Sequence, residues 1–262
     1  MTADIGSQPI DYRNRGGIAS IVLNRPESAN AFDLVAADAF TTAVRAIDPA
    51  STRVVTLLGS GARFCGGGDV AAFAAADDQA RCLLQIATTL GLAVCDLDRL
   101  PVPVIAGVHG AVAGAGLGVM LAADITVAGR STKFTMAYGG VGLTPDCGVS
   151  YLLPRAIGSQ RALELALTGR VLDAVEARDW GLVTEVVDDD QVAARVEEIA
   201  HRLAGTAPSA AGQARRLLRA GVDRSLEETV LDEARTIAAA VETSDAQHLI
   251  GRFLQRSARP KA

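Results

Sequence analysis

Asp146 is a carboxylate whose surroundings in the sequence call for a chemical explanation. It lies in GLTPDCGVSYLLPR (Gly142–Arg155), between a proline and a run of mostly small and apolar residues. An acid just before an apolar helical pattern can cap the first turn of that helix. A carboxylate in such surroundings can instead serve as a general acid or base. The residues alone leave both interpretations open.

Two glycine-rich stretches offer a second kind of chemistry through their backbone N–H groups. RFCGGGDV (Arg63–Val70) and HGAVAGAGLG (His109–Gly118) each follow a predicted strand and precede a predicted helix. In that setting, free N–H groups and a helix dipole can hold an anion. The alternative for each stretch is a tight turn or close helix packing. The dinucleotide-binding fingerprint is incomplete, because Val119 occupies the place of the third glycine.

The elements that must position these residues alternate along the chain. Short β-branched runs predict strands, and stretches with helical periodicity lie between them, which favours an α/β core. From Gln191 onward the strand signal ends and the pattern is helical. We predict a core domain over residues 1–206 and a C-terminal helical region over residues 207–262, with the boundary near Thr206–Pro208.

The predicted elements fall into three groups. The strands are Gly17–Asn24, Arg53–Gly61, Val102–Gly110, Asp124–Gly129 and Gly181–Val187. The helices of the core are Asp33–Ile47, Asp77–Leu100, Gly114–Ala123, Cys147–Ile157, Ser159–Thr168 and Asp173–Asp179. The helices from Gln191 onward are Gln191–Leu203, Ser209–Ala220, Leu226–Glu242 and Asp245–Gln255.

Composition and charge limit the classes of function. The chain has 262 residues, of which 49% are hydrophobic, and this suffices for one large core. A net charge of −5 with interspersed signs, and few aromatic residues, argue against nucleic acid as a partner. Four widely spaced cysteines predict reduced thiols rather than disulfides or a metal site. Because we see neither an apolar leader nor a long uninterrupted apolar run, we expect a cytoplasmic protein without a membrane span.

Four ordered motifs resemble the crotonase, or enoyl-CoA hydratase/isomerase, superfamily. They are IVLNRPESANAF (Ile21–Phe32), RFCGGGDV, PVPVIAGVHGAVAGAGLGVMLAADITVA (Pro101–Ala128) and GLTPDCGVSYLLPRAIG (Gly142–Gly158). The resemblance runs from about residue 18 to residue 187, and the helical tail matches in kind. It implies a spiral of ββα units with a C-terminal helical assembly region, and a homotrimer or a dimer of trimers. It also implies an acyl-CoA substrate and no permanently bound cofactor.

The resemblance further implies roles for individual residues. In the family, one backbone N–H group from each glycine stretch binds the thioester oxygen of an acyl-CoA and stabilises the enolate. The matching residues here are Gly68 and Ala115. The coenzyme A segments match Asn24, Arg25, Pro26, Ala29, Gly66, Gly67 and Asp69, and the substrate pocket matches Val70, Phe73, Gly118 and Tyr138. Helix capping by Asp69, and core packing by Val70 and Phe73, are the alternatives.

Departures from the family pattern bear on the reaction. Gly118 and Tyr138 replace the two glutamates that handle water in the hydratases, and a tyrosine, with an ordinary pKa of about 10, is a poor general base at neutral pH. Asp146 matches the acid that Δ3,Δ2-enoyl-CoA isomerases and ring-1,2-epoxyphenylacetyl-CoA isomerases keep in segments like GLTPDGG. We therefore expect an isomerase of fatty acid metabolism or phenylacetate degradation that uses Asp146. The alternatives are an enoyl-CoA hydratase and a catalytically silent acyl-CoA-binding scaffold.

Overall fold

All five strands predicted from β-branched runs form, and four further strands join them. The computed structural model describes residues 8–257. Within that range the strands are β1 (Ile10–Arg15), β2 (Ile18–Leu23), β3 (Val54–Gly59), β4 (Val104–Val108), β5 (Ala111–Ala113), β6 (Ile125–Gly129), β7 (Lys133–Thr135), β8 (Leu172–Asp173) and β9 (Glu185–Val187). The unpredicted strands are β1, which is largely polar, and β5, β7 and β8, which are too short to show a periodicity.

These strands form two sheets. The larger has the order β1-β2-β3-β4-β6-β9, with β1 antiparallel to β2 and the remaining neighbours parallel. Gly16 and Gly17 join β1 to β2 with positive φ at both positions, as a two-residue hairpin requires. The smaller sheet has the order β5-β7-β8. The successive pairs β4–β5 and β6–β7 each place one strand in each sheet.

Four of the eleven helices within residues 8–257 begin at aspartate caps. They are α1 (Leu34–Arg45), α2 (Val70–Ala74), α3 (Gln79–Arg99), α4 (Ala115–Leu121), α5 (Val149–Ile157), α6 (Ser159–Thr168), α7 (Ala174–Trp180), α8 (Val192–Ala204), α9 (Pro208–Gly221), α10 (Leu226–Val241) and α11 (Ser244–Ser257). The side chains of Asp33, Asp69, Asp78 and Asp173 accept hydrogen bonds from the first turns of α1, α2, α3 and α7. Every predicted helix is present, and α2 is additional.

The main core lies on one face of the larger sheet and a smaller core lies on the other. Val55 and Val104 point into the main core, which α1, α3 and α4 complete. Val54, Ile105 and Val127 point to the opposite face, where α8 covers them. The alternation of neighbouring side chains between two buried faces explains the nearly continuous apolar character of these strands.

Helix α3 closes one side of the main core. Its residues Ile86, Leu90, Ala93, Val94 and Leu97 are buried. By length and composition alone α3 would also be apolar enough to cross a membrane, and no other helix in residues 8–257 meets that criterion. The packing of α3 against α1 matches the pattern of a core helix.

Helix α9, the first after the predicted domain boundary, is packed on the core. The guanidinium of Arg215 is buried and donates to Oδ2 of Asp124 at 2.7 Å and to the carbonyl oxygens of Asp98 and Leu100 at 2.6 and 2.5 Å. It therefore binds the C-terminal end of α3. A Cβ at Gly212 would lie 1.9 Å from the carbonyl oxygen of Pro101, which shows how closely the α9 backbone approaches the core.

Helices α10 and α11 differ from α9 in their burial. No residue of α10 is buried, and none of the described side chains of α11 is. Their exposed large apolar residues are Leu226, Val230, Leu231, Ile237, Val241, Leu249, Ile250, Phe253 and Leu254. The helical character predicted for the C-terminal region is therefore present, with an apolar surface on its last two helices.

Candidate active site

The two glycine-rich stretches lie against each other. Cys65 and Val112 pair as an isolated parallel bridge, and the N–H of Ala113 donates to the carbonyl oxygen of Cys65 at 3.0 Å. Gly67 has a φ of +104°, and a Cβ there would lie 3.0 Å from the carbonyl oxygen of Ala113 and 3.5 Å from the amide nitrogen of Ala115. Glycine is required at this position because it alone combines that conformation with so little space.

Two backbone N–H groups at this junction have no acceptor among residues 8–257. One belongs to Ala115, the first residue of α4, where helical N–H groups lack a partner within the helix. Gly114, which precedes it, has no side chain to cap the helix. The other belongs to Gly68, where an added Cβ would meet nothing within 4 Å. Both N–H groups are available as donors to an external oxygen atom.

A largely apolar cavity of about 450 Å³ adjoins these donors. Among the predicted site residues, its lining includes Gly66, Gly67, Gly68, Val70, Phe73, Tyr138 and Asp146. Ala115 is adjacent in sequence to Gly114, which also lines the cavity. The lining residues that sequence reasoning missed are Ala80, Leu83, Leu84, Ala87, Ala137, Val141, Leu143, Thr144 and Pro145. Four of these residues, Ala80, Leu83, Leu84 and Ala87, share one face of α3. Apolar side chains on a helix face that is partly exposed to solvent are the sequence feature that could have indicated a ligand pocket there.

Asp146 faces the cavity and does not cap a helix. The structure begins α5 at Val149, with Gly148 at the cap position and no side chain bonded to the first turn. The predicted helix start at Cys147 was therefore two residues early. The hydroxyl of Tyr138 donates to Oδ1 of Asp146 at 2.7 Å. This contact, rather than a helix terminus, fixes the carboxylate.

The groups beside Asp146 are held neutral by burial. Desolvation raises the pKa of the Tyr138 hydroxyl well above its usual range, and the negative charge of Asp146 raises it further. The same two causes raise the pKa of the Cys147 thiol. Tyr138 is therefore a permanent hydrogen-bond donor at neutral pH, and Cys147 is a packing residue rather than a nucleophile.

Strained backbone is concentrated around the site. Within residues 8–257, the non-glycine residues with positive φ are Ala29, Asn30, Ala137 and Cys147, at +55°, +54°, +54° and +49°. Ala137 precedes Tyr138, and Cys147 follows Asp146. The carbonyl oxygen of Ala29 accepts a hydrogen bond from the N–H of Gly66 at 2.8 Å. Such conformations persist where the surrounding structure enforces them, which is common in binding and catalytic sites.

Gly118 was expected in the substrate pocket, but it does not line the cavity. It lies in α4, and a Cβ at this position would be 2.3 Å from the carbonyl oxygen of Cys147. The close approach of α4 to the turn after Asp146 leaves no room for a side chain. This packing supplies a structural reason for glycine at the position that the first hydratase glutamate would occupy.

The residues expected to bind coenzyme A have mainly structural partners in the chain. Arg25 contacts the carboxylates of Asp33 and Asp69 at 2.9 and 3.2 Å, and Asp69 also caps α2. The Nδ2 of Asn24 donates to the carbonyl oxygen of Gln8 at 3.3 Å. Pro26 and Ala29 line a second cavity of about 530 Å³, together with Glu27, Ser28, Ala62 and Arg63. No cluster of three metal-binding side chains occurs among the described residues.

Comparisons with known proteins identify relatives of this chain. The family model for enoyl-CoA hydratase/isomerase matches residues 13–260. The 1,2-epoxyphenylacetyl-CoA isomerase of Escherichia coli strain K12 is 38% identical over 197 residues, which are 72% of this chain and 73% of that protein.

Solved structures extend the similarity to nearly the whole chain. An enoyl-CoA hydratase from Bacillus anthracis superposes with a TM-score of 0.90 at 28% identity, covering 95% of this chain and 97% of the other. A candidate enoyl-CoA hydratase from Thermobifida fusca YX, solved in complex with CoA, has a TM-score of 0.82 at 26% identity, covering 89% and 93%. The predicted crotonase-like fold is confirmed, and the chain belongs to the enoyl-CoA hydratase/isomerase family.

Proposed function

We propose that this protein is an acyl-CoA isomerase that shifts a double bond, or rearranges a strained ring, through a thioester enolate. In this proposal the N–H groups of Gly68 and Ala115 bind the thioester oxygen, and Asp146 is the acid/base. The observation that carries the proposal is one apolar cavity that joins Gly68 and the start of α4 to a single carboxylate. Backbone donors aimed at a developing oxyanion are among the largest contributions to such reactions.

The proposed reaction of a 3-enoyl-CoA needs one base. The Asp146 carboxylate takes a proton from C2, and the electrons of that C–H bond move into the thioester, giving a dienolate whose negative charge rests on oxygen. The proton then returns from Asp146 to C4, the electrons move back, and a C2–C3 double bond forms. Substrate and product have the same composition, so neither water nor a co-reactant is consumed.

The absence of a second acid along the cavity favours isomerisation over hydration. Asp146 is the one carboxylate among the described lining residues. Tyr138 cannot serve as a base in place of a glutamate, because burial raises the pKa of its hydroxyl. Gly118 has no space for a longer side chain. A hydratase needs several groups that position water and move its protons. The described lining of this cavity contains one such acid, Asp146.

The coenzyme A portion is proposed to lie across the loops at residues 24–29 and 66–69, which match the coenzyme A segments in the family resemblance. The second cavity, beside Pro26 and Ala29, is next to Gly66 of the main cavity because Gly66 and Ala29 are hydrogen-bonded. The side chains of Arg25 and Asp69 are already paired, so main-chain groups supply the polar contacts in this proposal. The coenzyme A thioester is a substrate, and no resident cofactor is required.

A panel of thioesters tests the proposed reaction. The purified protein is incubated with 3-enoyl-CoA, 2-enoyl-CoA and 1,2-epoxyphenylacetyl-CoA substrates, and products are followed by mass and retention time. We expect a product of unchanged mass and altered retention from at least one 3-enoyl or epoxide substrate. Products heavier by one water as the main outcome would favour the hydratase alternative. Binding without any turnover across the panel would favour the scaffold.

A further inference from the structure

We propose that Tyr138 is a positioning residue for Asp146: its hydroxyl holds Oδ1, so that Oδ2 is the oxygen presented to the substrate. This inference rests on the proposed function of Asp146. The proposal is based on the hydrogen bond of 2.7 Å from the Tyr138 hydroxyl to Oδ1 of Asp146. Within residues 8–257, the side-chain hydrogen bond to this carboxylate uses Oδ1 and not Oδ2. The two oxygens of one carboxylate are thereby made unequal.

The ring of Tyr138 also connects the acid to the proposed oxyanion donors. A Cβ at Gly114 would lie 3.9 Å from Cε1 and Cζ of Tyr138, so the ring edge lies beside the residue that precedes Ala115. The hydroxyl at the far end of the same ring reaches Asp146. The side chain therefore spans from the start of α4 to the carboxylate. A rigid ring in this place fixes the separation between the thioester oxygen and the base.

The backbone on either side holds this pair in place. Ala137, just before Tyr138, and Cys147, just after Asp146, both have the left-handed conformation that non-glycine residues rarely adopt. The N–H of Tyr138 donates to the carbonyl oxygen of Met136 at 2.6 Å in the same tight turn. Two turns that each contain a left-handed residue therefore bring the donor and its acceptor to one point.

The surroundings assign positioning, rather than proton transfer, to the tyrosine. The pKa of its hydroxyl is raised by burial first and by Asp146 second, so the phenol stays protonated. Cys147 is the other titratable group that interacts with Asp146, and its thiol is also held neutral. The elements α2 and α3 contribute Val70, Phe73 and four apolar residues to the cavity, and no charged side chain. Among the hydrogen bonds between described side chains, the one that reaches the Asp146 carboxylate therefore comes from Tyr138.

The test is Tyr138→Phe, which keeps the ring and removes the donor. We expect kcat for 3-enoyl-CoA isomerisation to fall about 10- to 100-fold, with KM changed by less than about threefold, because the base is misplaced while thioester binding is retained. The split between a lowered kcat and a nearly unchanged KM distinguishes a misplaced base from a loss of substrate binding. Tyr151→Phe, which removes a surface hydroxyl bonded to Asp223, is the matched control. It should change neither kcat nor KM.

A double variant separates positioning from independent catalysis. If Tyr138 acts through Asp146, adding Tyr138→Phe to Asp146→Asn should lower the residual rate no further. A further fall in the double variant, or an unchanged kcat in Tyr138→Phe alone, overturns the inference. Should Tyr138→Phe fold poorly, a fluorotyrosine at position 138 keeps both the ring and the donor, and kcat should then stay within about threefold of the unaltered protein. Full turnover by Asp146→Asn would instead refute the proposed function itself.

Discussion

At the scale of single residues, Asp146 is the group on which the proposed proton transfer depends. Asp146→Asn retains the size of the side chain and an oxygen that can accept from Tyr138, but it removes the base. We expect isomerisation to fall at least about 100-fold, the low end of general-base effects. Acyl-CoA binding, measured by calorimetry with an unreactive thioester, should stay close to that of the unaltered protein.

The control for Asp146→Asn is a charge-matched change outside the cavity. Asp188→Asn removes an exposed carboxylate that pairs with Arg130 on the surface. Exposed ion pairs contribute little to stability, so this variant should keep its turnover and its melting temperature. Near-normal isomerisation by Asp146→Asn would mean that another group removes the proton.

Asn30 offers a second prediction at this scale, on stability. Asn30 is 3% exposed, and its side chain donates to the carbonyl oxygens of Ser60 and Arg63 and accepts from the N–H of Arg25. Asn30→Ala leaves three part-buried backbone groups without this partner and puts alanine at a φ of +54°. We expect the free energy of unfolding in urea to fall by about 2–4 kcal/mol.

The comparison for Asn30→Ala is Asn14→Ala, on the exposed strand β1. The Asn14 side chain makes one hydrogen bond, to the hydroxyl of Thr52. Its loss should cost about 0.5–1 kcal/mol. If the two variants were equally stable, the Asn30 network would contribute far less than its burial implies.

At the scale of elements, the contact between α4 and the turn that follows Asp146 is tight. In Gly118→Ala the new Cβ would lie 2.3 Å from the carbonyl oxygen of Cys147, a backbone atom that cannot rotate away. We expect a loss of about 1–3 kcal/mol in the free energy of unfolding and reduced turnover, because the turn that carries Asp146 must move. Gly118→Glu should not confer hydration for the same reason.

Gly91→Ala is the matched control, since it approaches Cys147 from α3. Its Cβ would lie 3.9 Å from the Cα of Cys147, an ordinary contact distance. Alanine is favoured over glycine inside a helix by about 1 kcal/mol, so stability should be equal or higher. Wild-type stability and turnover in Gly118→Ala would contradict the steric account.

Most of the helices and strands could be predicted from the sequence. The strands and contacts that could not be predicted depend on tertiary packing. α3 and α8 have amphipathic periods that survive in the fold, and Asp78 marks the start of α3. β5, β7 and β8 exist because distant segments pair, and no local pattern encodes that pairing. Asp146 was selected through the family resemblance. Its contact with Tyr138 joins two irregular turns, whose conformations depend on tertiary packing.

At the scale of the whole molecule, α10 and α11 present apolar side chains that the described part of the chain leaves exposed. We propose that they form the assembly region of a trimer or a dimer of trimers, because closed symmetric assembly would bury these faces. A chain ending at Asp223 keeps α9 and should be monomeric by light scattering. The same truncation should leave a cooperative thermal unfolding transition, because Arg215 remains in place.

A point variant tests assembly without shortening the chain. Ile237 is 73% exposed in the single chain, so Ile237→Asp should cost a monomer little stability. If α10 is buried between subunits, the charge should shift the molecular mass in solution toward the monomer. A monodisperse monomer of the full unaltered chain would refute the proposed assembly.

Arg215 bears on how the protein is made as well as on how it is held together. Its guanidinium binds partners 91 to 118 positions earlier in the chain. On the ribosome, α3 and α4 therefore emerge long before the side chain that binds their last carbonyl groups exists outside the exit tunnel. Contacts of such long range form late, and apolar surface stays open until they do. A nascent chain that stalls before α9 would expose an unfinished core and become a substrate for chaperones.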